Sequence, residues 1–196
     1  MIRLNEESGG KKDVSLYQLK VKLKWSKPAI WRRVVVRSDM RLDRLHTVIQ
    51  VAMGWTNSHL HQFVLGQTFY GQTDPEFGAG MEVLNEKRYR LRDLADGAKK
   101  KFIYEYDFGD SWEHELVVEK VLAADPNFKH PVCTGGENAC PPEDCGGIHG
   151  YYRMLEVIAD PKDPEHPEML EWLGEEWDAT YFDLAGTSEL LKELKA

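Results

Sequence analysis

Tyr17, Leu19, Val21, Leu23 and Trp25 alternate with Gln18, Lys20, Lys22 and Lys24. A period of two turns one set toward a core and the other toward water, which predicts a half-buried strand over 15–24. Ser26-Lys27-Pro28 reads as a turn and 30–37 as a second strand, so the pair predicts a hairpin. The period then changes. Leu42, Leu45, Ile49 and Ala52, with Val48 alongside, recur at helical spacing. Ser38-Asp39 offers an N-cap and Gly54 a residue for the C-terminal turn, so a helix is predicted over 41–53. Strand character returns at 60–66. Residues 67–88, rich in Gly, Pro and Asp, read as irregular, and Leu91 to Leu94 as one helical turn. Strands are predicted at 101–107 and 113–121, joined by the turn composition Phe108-Gly109-Asp110-Ser111. A Pro/Gly/Cys loop is expected over 125–147. Helices follow, marked by Tyr151, Leu155 and Ile158, by Met169, Trp172 and Leu173, and by 187–194.

That order, with strands on both sides of a helix and helices at the end, predicts an α+β fold. The expected topology is a β-grasp-like roll: a mixed sheet with a packed helix, plus C-terminal helices. Polar residues 1–13 read as a flexible tail and 14–196 as a single domain. At 196 residues, 42% of them hydrophobic, the chain can bury a core of its own. The formal charge of −8 argues against sequence-independent binding of duplex DNA, which rests on Lys and Arg neutralising phosphates. No apolar run approaches the ~20 residues that cross a membrane, and the polar start is unlike a signal peptide. A cytoplasmic protein with no membrane partner is expected. Three cysteines, an odd number, fit reduced thiols better than a disulfide framework.

The chain carries several ordered and unusual motifs. They are Ile30-Trp31-Arg32-Arg33, Leu45-His46 with Ile49-Gln50, and Met53-Gly54-Trp55 with His59-Leu60-His61-Gln62-Phe63. Next come Tyr106-Asp107-Phe108-Gly109-Asp110-Ser111-Trp112 with His114, and Cys140-Pro141-Pro142-Glu143-Asp144-Cys145-Gly146-Gly147 with Gly150-Tyr151. Trp172-Leu173-Gly174, Asp178 and Phe182-Asp183 complete the set. The pattern resembles the plasmid pRiA4b ORF-3-like family over roughly 15–190. The resemblance implies a mobile-element association, through plasmid reading frames and passenger genes of insertion sequences. It transfers no reaction and no catalytic residue. A resolvase label carried by some members does not carry over. A serine recombinase needs a serine in an arginine-rich site and a basic helix-turn-helix, and neither pattern is recognisable here.

The chemistry-bearing residues fall into groups, each with a plain structural explanation beside the functional one. Asp107, Asp110 and His114 form a metal or acid/base set, or the two acids simply close a turn by accepting backbone N–H bonds. His59 and His61 share a face if 59–66 is a strand, as a metal pair or as two partly buried rings. Cys133, Cys140, Cys145 and His149, with His130 nearby, have enough soft ligands for zinc but no Cys-x2-Cys knuckle; reduced thiols on a structured loop are the alternative. Glu143 and Asp144 cap the following helix, or add charge to the 106–114 hairpin. Trp55, Tyr106 and Trp112 are candidate walls of the same cleft. The leading functional expectation is therefore a binding or accessory module, not an enzyme, with an acidic and aromatic cleft. The partner is an unknown protein, peptide or cationic small molecule. The alternative is a metal-dependent hydrolase or nuclease-like enzyme, with a divalent metal such as zinc as cofactor. The 106–114 hairpin and the 140–147 loop are expected to face each other across one cleft.

Overall fold

The computed structural model describes residues 14–72, 82–174 and 177–194; the tail expected at 1–13 lies outside them. The strands are β1 (Leu16–Leu23), β2 (Trp31–Arg37), β3 (His61–Leu65), β4 (Thr68–Gly71), β5 (Val83–Asn85), β6 (Lys101–Tyr106), β7 (Trp112–Leu122) and β8 (Val132–Glu137). They form one sheet in the order β5-β4-β3-β6-β7-β1-β2-β8. β4 and β5 run parallel at one edge, and the remaining neighbours are antiparallel. The helices are α1 (Leu42–Met53), α2 (Leu91–Leu94), α3 (Gly147–Ala159), α4 (His166–Leu173) and α5 (Leu184–Lys192). The fold is α+β, a mixed sheet with a packed helix and C-terminal helices.

The alternation in β1 does what its period dictates. Leu19, Val21 and Leu23 are buried, while Lys20 is half-buried and Lys22 exposed. Val34 and Val36, Phe102, Tyr104 and Tyr106, and Trp112, Leu116 and Val118 join them on one face of the sheet. Leu42, Leu45, Ile49 and Met53 of α1 close the core on that side. Gly54 ends α1 in the left-handed region at φ 94°, and its N–H bonds to Gln50 O.

Several boundaries differ from those the sequence predicts. α1 has Arg41 at its N-cap position with no side-chain cap. Asp39 instead holds Arg37 through two bonds of 2.9 and 3.2 Å. The 67–88 segment contains β4, β5 and a 3₁₀ turn at Glu86–Arg88. The 125–147 loop contains β8, in which Gly136 is a packing requirement. A Cβ at Gly136 would lie 2.4 Å from the Phe182 ring and 2.9 Å from Arg32 Cδ. α5 begins at Leu184 because Asp183 caps it, accepting from Gly186 N at 2.8 Å.

Candidate functional site

The turn between β6 and β7 and the loop 140–147 touch directly. Gly147, at φ 67°, lies so close to Asp110 O that an added Cβ would sit 2.5 Å away. Asp110 Oδ2 accepts from Gly146 N at 3.2 Å. Trp55 Nε1 donates to Pro141 O at 3.0 Å. Glu143 is the clasp of the assembly. One carboxylate oxygen accepts from Tyr106 OH, the other from the Thr56 hydroxyl and from Thr56 N at 3.1 Å. Tyr106 OH in turn accepts from Ser58 N at 2.9 Å. Burial works to raise the Glu143 pKa, but these bonds outweigh it and hold the group below the usual carboxylate range. The caps expected for α3 are absent. Gly146 is its N-cap residue, with no side-chain bond, because Glu143 and Asp144 turn toward the 55–59 segment instead.

The acids therefore divide by use. Asp110 and Glu143 are structural ties. Asp107 does two things at φ 57°: its Oδ1 closes its own turn by accepting from Gly109 N at 2.9 Å, while its Oδ2 lies 3.7 Å from His59 Nε2. Asp144, at φ 61° and with its side chain 73% exposed, places Oδ1 3.1 Å from the same nitrogen. That nitrogen is shielded from solvent and makes no hydrogen bond of acceptable geometry, so its close approach to Asp144 is not a hydrogen bond. Among the described residues, His59, Asp107 and Asp144 are the one group of three donors whose ligand atoms lie within 4.8 Å of one another.

The other candidates lie elsewhere. His59 precedes β3 and His61 begins it, so the two do not share a ligand set. His61 Nε2 bonds Glu86 Oε2 at 2.8 Å, with both side chains buried. Tyr106, Trp112 and His114 are buried; Trp55, also buried, borders the groove beside Pro141, Pro142 and Glu143. His114 has no partner for either ring nitrogen, and burial pushes its pKa down to about 4. Cys133, Cys140 and Cys145 are free thiols, and with the exposed His149 they form no converging group of donors. Burial raises the thiol pKa of Cys140, and that of Cys145 to about 12, so neither is poised as a nucleophile.

Sequence reasoning missed a second polar cluster inside the core. Gln50 Nε2 donates to the Tyr104 hydroxyl (2.9 Å), Tyr104 to His46 Nδ1 (2.8 Å), His46 Nε2 to Asn57 Oδ1 (2.6 Å), and Asn57 N to Gln50 Oε1 (2.9 Å). The ring is closed and fixes His46 as the neutral Nε2–H tautomer. Burial, then the neighbouring His61, push the His46 pKa down to about 3. The His46 and His61 rings stack at 3.4 Å and 1°. The signal was available: His46 and Gln50 sit at i and i+4 on the same face of α1 as Leu42, Leu45 and Ile49. Arg32 was missed too. It is buried without a carboxylate, bonded to the carbonyls of Ala52 (2.8 Å), Trp31 (2.8 Å) and Glu137 (3.0 Å), and stacked 3.8 Å from the Phe182 ring.

Fold and site thus define an α+β domain in which a turn, a loop and the segment before β3 present one imidazole and two carboxylates beside a polar core. Residues 15–186 match the family described as plasmid pRiA4b ORF-3-like protein, and the chain belongs to that family. It is 39% identical over 184 residues to the uncharacterized protein y4hQ of Sinorhizobium fredii (strain NBRC 101917 / NGR234), covering 93% of each chain. It is also similar to the crystal structure of MM3350, a protein of unknown function from Methanosarcina mazei Go1. The TM-score is 0.77 and the identity 34%, covering 87% of this chain and 96% of that one. Among the described residues, no helix is long and apolar enough to cross a membrane.

Proposed function

We propose that the protein is a binding module whose surface site takes a divalent cation through His59 Nε2, Asp107 Oδ2 and Asp144 Oδ1. One observation carries the reading: a shielded, unpartnered imidazole nitrogen stands 3.1 and 3.7 Å from two carboxylate oxygens. Two ligands bound at 2.0–2.1 Å around a tetrahedral ion lie about 3.3 Å apart, so the three donors are already near the spacing zinc requires. One nitrogen and two carboxylates suit zinc or manganese. The 28% exposure of His59 and the 73% exposure of Asp144 leave the outer positions to water.

The arrangement supports binding over hydrolysis. A hydrolase needs a free base within reach of the ion-bound water. Both Glu143 oxygens are engaged by Thr56 and Tyr106, and His46, His61 and His114 are buried. Elemental analysis and thermal shift with Zn2+, Mn2+ and Mg2+ test the reading. We expect a rise in Tm with zinc or manganese that His59→Ala and Asp107→Asn each abolish. No shift with any of the three ions would refute it.

A further inference from the structure

The formal charge of −8 is not spread over the chain. Residues 144–196 hold thirteen Asp and Glu against four Lys and Arg, and the rest is close to neutral. The same region exposes apolar side chains. α4 buries none of its residues, and Leu170 and Trp172 on it are 46% and 50% exposed. Between α3 and α4 lies a cleft of about 440 Å³ with Met154, Met169 and Trp172 as its apolar lining. Its charged lining is Asp144, Glu165, Glu168 and Arg153. Arg153 is already neutralised, donating to Asp163 (2.9 Å) and Glu165 (2.8 Å). Trp172 is also a wall of a second groove of about 360 Å³, with Pro141, Pro142, Leu173 and Trp177 on it. It stands as a ridge between two grooves.

We propose that this face docks a basic amphipathic segment of a partner protein. Its apolar side chains enter the Met154–Met169 cleft and pack on Trp172, while its Lys or Arg side chains meet Glu165 and Glu168. Methionines adapt to varied apolar side chains, and tryptophan is among the residues enriched at interface hot spots. The Trp172 face also attracts a cationic head. Charge selects the occupant. A nucleic acid would bring phosphates to an acidic rim, and a second copy would set Asp144, Glu165 and Glu168 against themselves. The proposal goes beyond the cation site and shares only Asp144 with it.

The test is fluorescence anisotropy of a labelled fourteen-residue Lys/Leu peptide, with leucines at i, i+3, i+4 and i+7, in about 0.15 M salt. A Glu/Leu peptide of the same pattern and a labelled DNA duplex serve as comparisons. Saturable binding of the Lys/Leu peptide alone is expected, weakened about tenfold by Trp172→Ala and by Glu168→Lys. Both residues are exposed, so the melting temperature should stay near the parent value and any loss is read as a loss of binding. Asp107→Asn should abolish the zinc shift and leave peptide binding intact, while Trp172→Ala should do the reverse; the two proposals thus fail separately. Equal binding of the Glu/Leu peptide, or insensitivity to both substitutions, overturns the docking surface. So does a dimer in sedimentation that Trp172→Ala converts to monomer.

Discussion

His59 and His61 stand two residues apart and live in opposite conditions. His61, at the start of β3, is buried against Glu86 and stacked on His46, whose ring nitrogens are both spoken for within a closed ring of bonds. His59, just outside the strand, holds its Nε2 toward two carboxylates and bonds to neither. The sequence makes the two histidines look like a pair. One is a brace held by Glu86; the other leaves its Nε2 facing two carboxylates, the contrast on which the proposed cation site rests. Density of titratable groups therefore does not mark a site; an unfilled donor aimed at other donors does.

The comparison breaks most visibly at the brace. Removing Glu86 leaves the buried His61 Nε2 without its hydrogen-bond partner, at about 1–3 kcal/mol. We expect Glu86→Ala to lose roughly that much in urea unfolding, with a zinc response that survives in whatever remains folded. Replacing both partners, His61→Leu with Glu86→Leu, should recover most of the loss, since apolar residues of similar volume fill such positions well. A loss below about 1 kcal/mol for Glu86→Ala would show that the cluster carries little of the fold.

Acid should attack the same region next. His46 and His114 have folded pKa values of about 3 and about 4, below the ordinary value near 6.5. As pH falls through 6.5 the unfolded chain takes up protons first, so their stabilisation is present above that pH and lost below it. Between pH 6.5 and 5.5 each histidine contributes a loss of about 1 kcal/mol, about 2 together. His114→Phe, which cannot take up a proton there, should halve the slope of stability against pH. An unchanged slope would mean that these rings are not the groups that titrate on unfolding.

The clasp ranks third. Glu143→Gln keeps the shape but replaces a charged acceptor of the Tyr106 and Thr56 bonds with a neutral amide. The expected cost is roughly 1–2 kcal/mol in thermal or urea unfolding, within the range for hydrogen bonds to charged groups. A neutral outcome would return Glu143 to the list of residues free to serve a ligand.

Much of this was legible in the sequence, for identifiable reasons. Period-two alternation is unambiguous where one face meets water, so β1 and the β6–β7 hairpin could be read from Leu19, Val21 and Leu23 and from Phe102 and Tyr104. β8 could not, because Gly136 is there to let Phe182 and Arg32 approach, and a glycine pair reads locally as a turn. The meeting of the 106–114 and 140–147 motifs was anticipated, although they join by direct bonds rather than across an open cleft. Which acids stay free was not legible. That depends on where each oxygen points: Glu143 has none to spare, while Asp107 keeps one. His46 and Gln50 were legible in principle, as polar residues on an otherwise apolar helical face.

Asp144→Asn is the smallest expected change and the sharpest. Its side chain is 73% exposed, and its recorded contact is with His59 at 3.1 Å. An exposed pair of that kind contributes at most about 1 kcal/mol. Its backbone sits at φ 61°, a region that asparagine tolerates as readily as aspartate. Stability without metal should therefore stay within about 0.5 kcal/mol of the parent, the usual range for surface changes. The zinc response is a different matter, because the amide oxygen carries no charge and one of three donors is weakened. Asp107→Asn provides the contrast: its Oδ1 still accepts from Gly109 N, so the turn should hold while the ion loses its more enclosed carboxylate. If both variants fold like the parent and both lose the zinc shift, the two oxygens act as ligands. If Asp144→Asn instead destabilises by as much as Glu143→Gln and still responds to zinc, Asp144 belongs with the braces. The contrast between His59 and His61 would then fall with it.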